Sequence, residues 1–511
     1  NKDLKRFLLL GNSGLKASGL NDDLHGHIEE RLKTYDQDDY LIFLGDNIRN
    51  NVVEKAAIKE QLSTITQLLR NFTGNKLIIP GEREWKEKGS KGLETVESFF
   101  EDNLIDGENF QPEKGCPIET IDVDDQIELI IVDSQWYVQN WDRMPNMNDK
   151  CEIKTREQFV IELRDKIKKA SHKTVLLAMH HPLYSNGFHN GYLPYSVLLN
   201  PTSENAFIPI IGSVWSALRT QGGISQQDRL NPMMNELMSE IESALKQAPH
   251  AFILSGHEQA LEYIEQDNVR QMVSGTSSTS LGATLAKNGH FSSGSLGFAE
   301  LRLFKDGSST VHYFGLDDKK ELVQLFEKEA YPVKPHYDID KLPRTFPAKI
   351  SSSIYPPASV KVDSKYEKKW GKHYRYVYGL EVEAPVAMLD TLYGGLNVER
   401  AGGGNQTLSL RLEDPDGKEY NMRALAKDPI SFLQASGYND LDAQSYFSET
   451  LPVELITDFY TSAHPFGAFV IASLSHDIQL KHTHPKLYYV PKQRGLGNFN
   501  EEHGDRLYMI E

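Results

Sequence analysis

Six short apolar runs punctuate the N-terminal part of the chain: RFLLLG (6–11), YLIFLG (40–45), KLIIPG (76–81), ELIIVD (128–133), TVLLAMHH (174–181) and AFILSGH (251–257). Each is rich in branched residues, too short for a buried helix, and closed by Gly, Asp or His, which reads as a buried strand ending in a polar loop. Between them, apolar positions at helical spacing predict helices over 55–70, 156–170 and 230–246. Alternation of this kind from Lys5 to about Phe314 implies a layered α/β domain.

The texture changes near residue 315. A charged stretch, DDKKELVQLFEKEA, leads into a Pro-containing region from Pro332 to Pro357, which reads as a linker. Beyond it, a GGG turn (402–404), the alternating LSLRLED (408–414), a PDG turn (415–417) and EYNMRAL (419–425) are hairpin signals. The expected organisation is therefore a domain over 1–320, a linker over 321–357 and an α+β module over 358–511. The first residue, Asn1, suggests that a targeting segment has been removed. The end at LYMIE, without a polar tail, suggests a chain that continues further.

Composition narrows the functional classes. With 55 Lys plus Arg against 72 Asp plus Glu, the formal charge of −17 repels phosphate polyanions, so nucleic acid is not an expected partner. No uncharged apolar stretch approaches the roughly 20 residues of a transmembrane helix. Cys116 and Cys151 either form a disulfide, as in an exported protein, or are two unrelated reduced thiols; neither has the close Cys or His neighbours of a zinc site.

Candidate chemistry lies in the loops that follow the apolar runs: GNSG (11–14), GDNI (45–48), GERE (81–84), MHHPLY (179–184) and GHEQ (256–259). Loops at the C-terminal ends of parallel strands converge on one crevice, and carboxylates with imidazoles are the ligands that hold a pair of cations for phosphoester hydrolysis. Singly, each loop is explained by a helix cap or a structural His. In this order the five resemble the calcineurin-like metallophosphoesterases in their purple-acid-phosphatase-like form, with GDxG, GDN, GNHD, HHP and GHxH. The resemblance extends to PGEREW, GCP, VDSQW, HHPLYSNGFHNG and SGHEQALEYI and covers about residues 5–315. It implies a layered β-sandwich flanked by helices, followed by the smaller α+β domain.

Carried over residue by residue, the resemblance implies a damaged site. Asn12 stands where the family has the Asp of its first metal, and Gln259 stands where it has the second His of GHxH. Asp46 matches the bridging carboxylate, His180 the HHP ligand and His257 the first His of GHxH, while Glu82 replaces the Asn of GNHD. One divalent cation (Mn, Fe or Zn), or none, is implied at this second site. Arg83 replaces the His beside the leaving group, and a guanidinium exchanges no proton at neutral pH. It could instead pair with Asp46 or Glu82 and take the vacated space. His189 matches the substrate-facing His, and His181 follows the ligand position.

Three segments of the C-terminal module, 401–429, 462–474 and 482–511, resemble the region that follows the phosphoesterase domain in large outer-membrane-associated proteins of Bacteroidetes-type bacteria. In those proteins the chain can continue toward a β-barrel. The expected protein is thus an inactive phosphoesterase-fold scaffold, exported to the periplasm or cell surface, with envelope proteins and an outer-membrane β-barrel as partners. The alternative is a mononuclear phosphomonoesterase or phosphodiesterase. Lys427 after the GGG turn resembles the lysine of a kinase small lobe, but kinase catalytic motifs are absent and a hairpin with a surface lysine is the simpler reading. His464, His482 and His484 read as loop residues rather than ligands.

Overall fold

The computed structural model describes residues 4–16, 19–49, 55–85, 89–104, 109–144, 146–187, 225–282, 284–286, 288–333, 338–402, 406–436, 450–477 and 479–511. The chain divides into two compact units, Asn1–Lys334 and Pro335–Glu511.

In the first unit, the six apolar runs are strands β1 (Leu4–Leu10), β2 (Tyr40–Leu44), β3 (Asn75–Ile79), β5 (Ile127–Val132), β6 (Thr174–Met179) and β7 (His250–Ser255), with β4 (Ile118–Asp124) preceding β5. After them come β8 (Leu261–Gln266), β9 (Val269–Ser274), β10 (Gly289–Ser293), β11 (Gly297–Phe304), β12 (Ser309–Leu316) and β13 (Leu322–Tyr331). They form a six-stranded sheet ordered β13-β12-β11-β1-β2-β3 and a seven-stranded sheet ordered β10-β8-β9-β7-β6-β5-β4. The strands β1, β2 and β3 run parallel, as do β5, β6, β7 and β9.

Side chains alternate across each strand, so each sheet has two apolar faces. Phe7, Leu9, Ile42 and Leu44 of one sheet meet Leu129, Ile131, Leu176 and Phe252 of the other in one buried cluster, the filling of a sandwich. Leu8, Leu10, Val175 and Leu177 point the other way, into a cluster shared with the helices. Those helices are α1 (Asp22–Leu32), α2 (Lys55–Asn71), α3 (Glu82–Trp85), α4 (Ser90–Asn103), α5 (Ser134–Val138), α6 (Arg156–Lys169) and α7 (Pro232–Leu245). Helices α2, α6 and α7 lie where helical spacing predicts them. Asn21, Thr155 and Asn231 cap α1, α6 and α7 with side-chain oxygens that accept from the first-turn amides.

Where the sequence suggests a linker, residues 322–331 form β13 and pair with β12 over its whole length. The alternation in LVQLFEKEAY is that of a half-buried edge strand, and high charge on its outer positions makes it look like a linker. Cys116 and Cys151 are bridged, with Cα atoms 5.4 Å apart, joining the lead-in to β4 to the loop before α6.

The second unit is α+β. A five-stranded antiparallel sheet of Asn397–Ala401, Ser409–Glu413, Glu419–Ala424, Arg506–Ile510 and Lys486–Val490 surrounds a core of Leu410, Leu412, Met422, Tyr508 and Ile510. The second and third strands form the hairpin that the PDG turn predicts, with Gly417 at φ +80° in the left-handed region that only Gly enters freely. Lys427 is half-buried rather than on the surface. Its amide donates to Tyr355 Oη (3.1 Å), and burial, then the neighbouring Arg423, holds its ammonium pKa below the usual lysine range. No helix among the described residues is long and apolar enough to cross a membrane.

Candidate functional site

Each of the five loops leaves the C-terminal end of a parallel strand, three from one sheet and two from the other, and backbone hydrogen bonds tie neighbouring loops of each sheet together. The amide of Asn12 donates to Gly45 O (3.1 Å), that of Gly14 to Asp46 O (2.9 Å) and that of Gly256 to His180 O (3.1 Å). Asn12, Asp46 and His257 all adopt left-handed backbone, at φ 58°, 55° and 61°. Among non-glycine residues Asn, Asp and His tolerate this region best, and its recurrence marks the tight turns by which three loops converge on one crevice. Glycine makes the convergence possible: at Gly45 (φ +84°) a Cβ would stand 2.5 Å from His180 Nδ1.

Asn12 is fully buried. Its Nδ2 donates to the carbonyls of His257 (3.2 Å), Glu258 (3.3 Å) and Gly275 (3.0 Å), and its Oδ1 accepts from His257 N (3.1 Å). The side chain thus pins two loops together. Gln259 is half-buried, with Oε1 accepting from Thr279 Oγ1 (2.7 Å). At the expected first-metal site both side-chain oxygens are committed to protein donors, so the residues present do not fit a first cation.

At the second site, Arg83 reaches Asp46 twice. Its backbone amide donates to Asp46 Oδ1 (3.0 Å) and its Nε to Oδ2 (2.9 Å). The guanidinium lies against a buried carboxylate in the crevice, where a dication would need that carboxylate. Glu82 begins α3, half-buried. The carboxylate that organises this corner is Glu84, fully buried and accepting from the amides of Gly81 (2.8 Å), Asp46 (3.2 Å) and Asn47 (2.7 Å). Burial, then the charge of Asp46, raises its pKa from the ordinary glutamate value.

Three buried imidazoles close the crevice: one ring nitrogen from each of His180, His181 and His257 lies within 4.8 Å of the other two. His180 Nδ1 is 2.8 Å from Leu44 O, and a carbonyl only accepts, so Nδ1 carries a proton. Its Nε2 then faces Asp46 Oδ1 (3.4 Å) and His257 Nδ1 (3.3 Å). His181 is held by Ser134 Oγ at Nδ1 (2.8 Å) and Gln227 Oε1 at Nε2 (2.5 Å). His189 lies outside the described residues.

Beside the imidazoles is a small, half-open pocket of about 20 Å³ lined by His181, Leu183, Gln227, Arg229, Met238 and Glu258 among others. Behind it, fully buried Glu262 accepts from Asn186 N (2.6 Å), and burial with the charge of Glu258 pushes its pKa up to about 8. Asp133, which caps α5 and accepts from Trp85 Nε1 (2.8 Å), is pushed by burial to about 7.

The structure brings Asp46, Arg83, His180 and His257 together, with Asn12 and Gln259 turned into the loop framework. Sequence reasoning overlooked Glu84, Glu258, Glu262 and Gln227, and gave His181 only its place after the ligand position. Glu84 ends the GERE segment that was singled out. Glu258 and Glu262 likewise lie within SGHEQALEYI, but their roles depend on groups distant in sequence, and Gln227 had no local signal.

No family model matches the sequence, and no curated protein matches it. Solved structures do. GAP50, the anchor in the inner membrane complex of Plasmodium, is 15% identical with a TM-score of 0.38, over 64% of this chain and 88% of that one. Purple acid phosphatase PPD1 from yellow lupin (Lupinus luteus) seeds is 14% identical with a TM-score of 0.40, over 63% of this chain and 53% of that one. A dimetal phosphatase from Danio rerio is 12% identical with a TM-score of 0.37, over 63% and 98%. Identities this low and TM-scores below 0.5 carry no argument about chemistry, which rests on the chain's own side chains.

Proposed function

We propose that this protein is a metallophosphoesterase-like scaffold that does not hydrolyse phosphoesters and serves as a binding subunit of a bacterial cell-envelope complex. The observation that carries this reading is the Arg83–Asp46 pair: in the carboxylate best suited to hold a catalytic cation, Oδ2 is engaged by the Arg83 guanidinium and Oδ1 by the Arg83 backbone amide. A buried pair of this kind neutralises the carboxylate without any capacity to activate water. Asn12 supports it, because its amide is consumed by three carbonyls. Export is supported by the Cys116–Cys151 bridge, which persists in oxidising compartments. Envelope partners, including an outer-membrane β-barrel, follow from the resemblance of the C-terminal segments.

The test is hydrolysis of p-nitrophenyl phosphate with added Mn, Fe or Zn, alongside elemental analysis of the purified protein. No metal-dependent turnover is expected. Robust turnover that Asp46→Ala abolishes would overturn the reading.

One observation favours a second reading. The Nε2 of His180 faces a carboxylate and another ring nitrogen, an arrangement that a single cation would satisfy if Arg83 swung aside. A mononuclear phosphomonoesterase or diesterase would then use Asp46, Glu82, His180 and His257. It requires one equivalent of Mn, Fe or Zn retained through dialysis.

A further inference from the structure

The described residues of helices Leu451–Tyr460 and Gly467–Asp477 in the second unit include none that is buried, yet the helices read LPVELITDFY and GAFVIASLSHD. A helix this apolar normally buries a face. Here Phe466 and Phe469 pack toward Leu425 and Leu507, while Val470, Ile471 and Leu474, which share the opposite face, are 58%, 61% and 59% exposed. On the first helix Leu451 is 68% and Phe459 53% exposed. Single exposed apolar residues are ordinary; two successive helices that each leave large apolar side chains more than half exposed are not.

The flank of this face is basic. Phe459 meets the ring of Trp370 edge-on at 6.0 Å, and Trp370 ends the helix Ser364–Trp370. Residues 361–376 carry six basic against two acidic side chains, in a chain whose net charge is −17. Lys365, Lys368, Lys369 and Lys372 are exposed, and so are Tyr374 and Tyr376. Arg375 is excepted: it is buried and neutralises Asp458 of the first apolar helix at 2.5 Å, which leaves exposed Glu454 as that helix's one other carboxylate.

We propose that helices Leu451–Tyr460 and Gly467–Asp477, with the lysine-rich segment 361–376 at their flank, seat this unit on the surface of an anionic lipid bilayer. The choice of a lipid surface over a protein rests on the rim. Lysine is depleted at protein interfaces, whereas apolar helices bordered by Lys and by Trp or Tyr match the boundary between acyl chains and anionic headgroups. Length agrees: helices of ten and eleven residues extend about 15 Å, half a hydrocarbon core, and so lie in the interface rather than cross it. The inference is independent of whether the crevice of the first unit is catalytic.

The experiment is flotation of the full chain with phosphatidylcholine vesicles, with and without phosphatidylglycerol. Wild-type protein is expected to float with the anionic vesicles and to be released by salt. Ile471→Glu with Leu474→Glu, both on exposed positions so that circular dichroism remains native, is expected to weaken binding about tenfold or more. Lys368→Glu with Lys369→Glu is expected to abolish the preference for anionic vesicles, at about fivefold per lysine. Wild-type protein that ignores both vesicle types, or an Ile471→Glu/Leu474→Glu variant that floats like wild type, overturns the proposal. So does a dimer in light scattering that the same variant dissociates, which would give this face to a second copy of the chain.

Discussion

Asn12 gives both hydrogens of its amide to the carbonyls of residues 257, 258 and 275, so an aspartate there would turn oxygen toward oxygen in a fully buried position. Asn12→Asp is therefore expected to destabilise the protein by about 2–3 kcal/mol, the cost of an unmet buried polar group, when measured by urea unfolding in the presence of a chelator. An aspartate at this one position does not by itself create a cation site, because the other oxygens nearby are engaged by protein donors. Glu262 gives a pH dependence of definite sign. Its carboxyl ionises near pH 4.5 when unfolded and near 8 when folded, so its contribution is fully present below about 4.5 and is lost as pH rises toward 8. Thermal unfolding across that window is expected to show a falling midpoint, and Glu262→Gln, which keeps the acceptor for Asn186 N, is expected to flatten the difference.

Among elements, the strands that carry the loops were the most legible. Runs such as YLIFL and TVLLAM are apolar on both sheet faces, and a fully buried parallel strand writes that plainly in sequence. The edge elements were not legible in the same way. Strand β13 carries Glu327 and Glu329 on its outer positions and reads as charged linker, and β10 (GHFSS) has little apolar content. In the crevice, Asp46, Arg83, His180 and His257 could be found because each is next to a strand end. Glu84 could not be assigned its role, because three amides from two loops define it and no one-dimensional pattern records an amide's direction. The basic flank of the apolar helices was hidden in a similar way, since a net charge of −17 averages over it. At this scale the disulfide is also tested. It closes a loop of 35 residues, and replacing both cysteines by serine is expected to cost about 3–4 kcal/mol in denaturant unfolding if the bridge acts on the unfolded chain.

Across the whole molecule, two units with separate cores divide the tasks proposed for them: a crevice in the first, a lipid-facing surface in the second. A last consequence concerns the six-stranded sheet. Its β3 side is continued by backbone pairing of Ile78 with the 109–111 segment, through Ile78 N to Asn109 O (2.8 Å) and Gln111 N to Ile78 O (2.9 Å). Its other margin, β13, presents exposed glutamates, with Lys328 held by Glu265 at 2.9 Å. Both margins therefore discourage an incoming strand, one by occupancy and one by charge. Fibrous self-association through the margins of this sheet is therefore disfavoured.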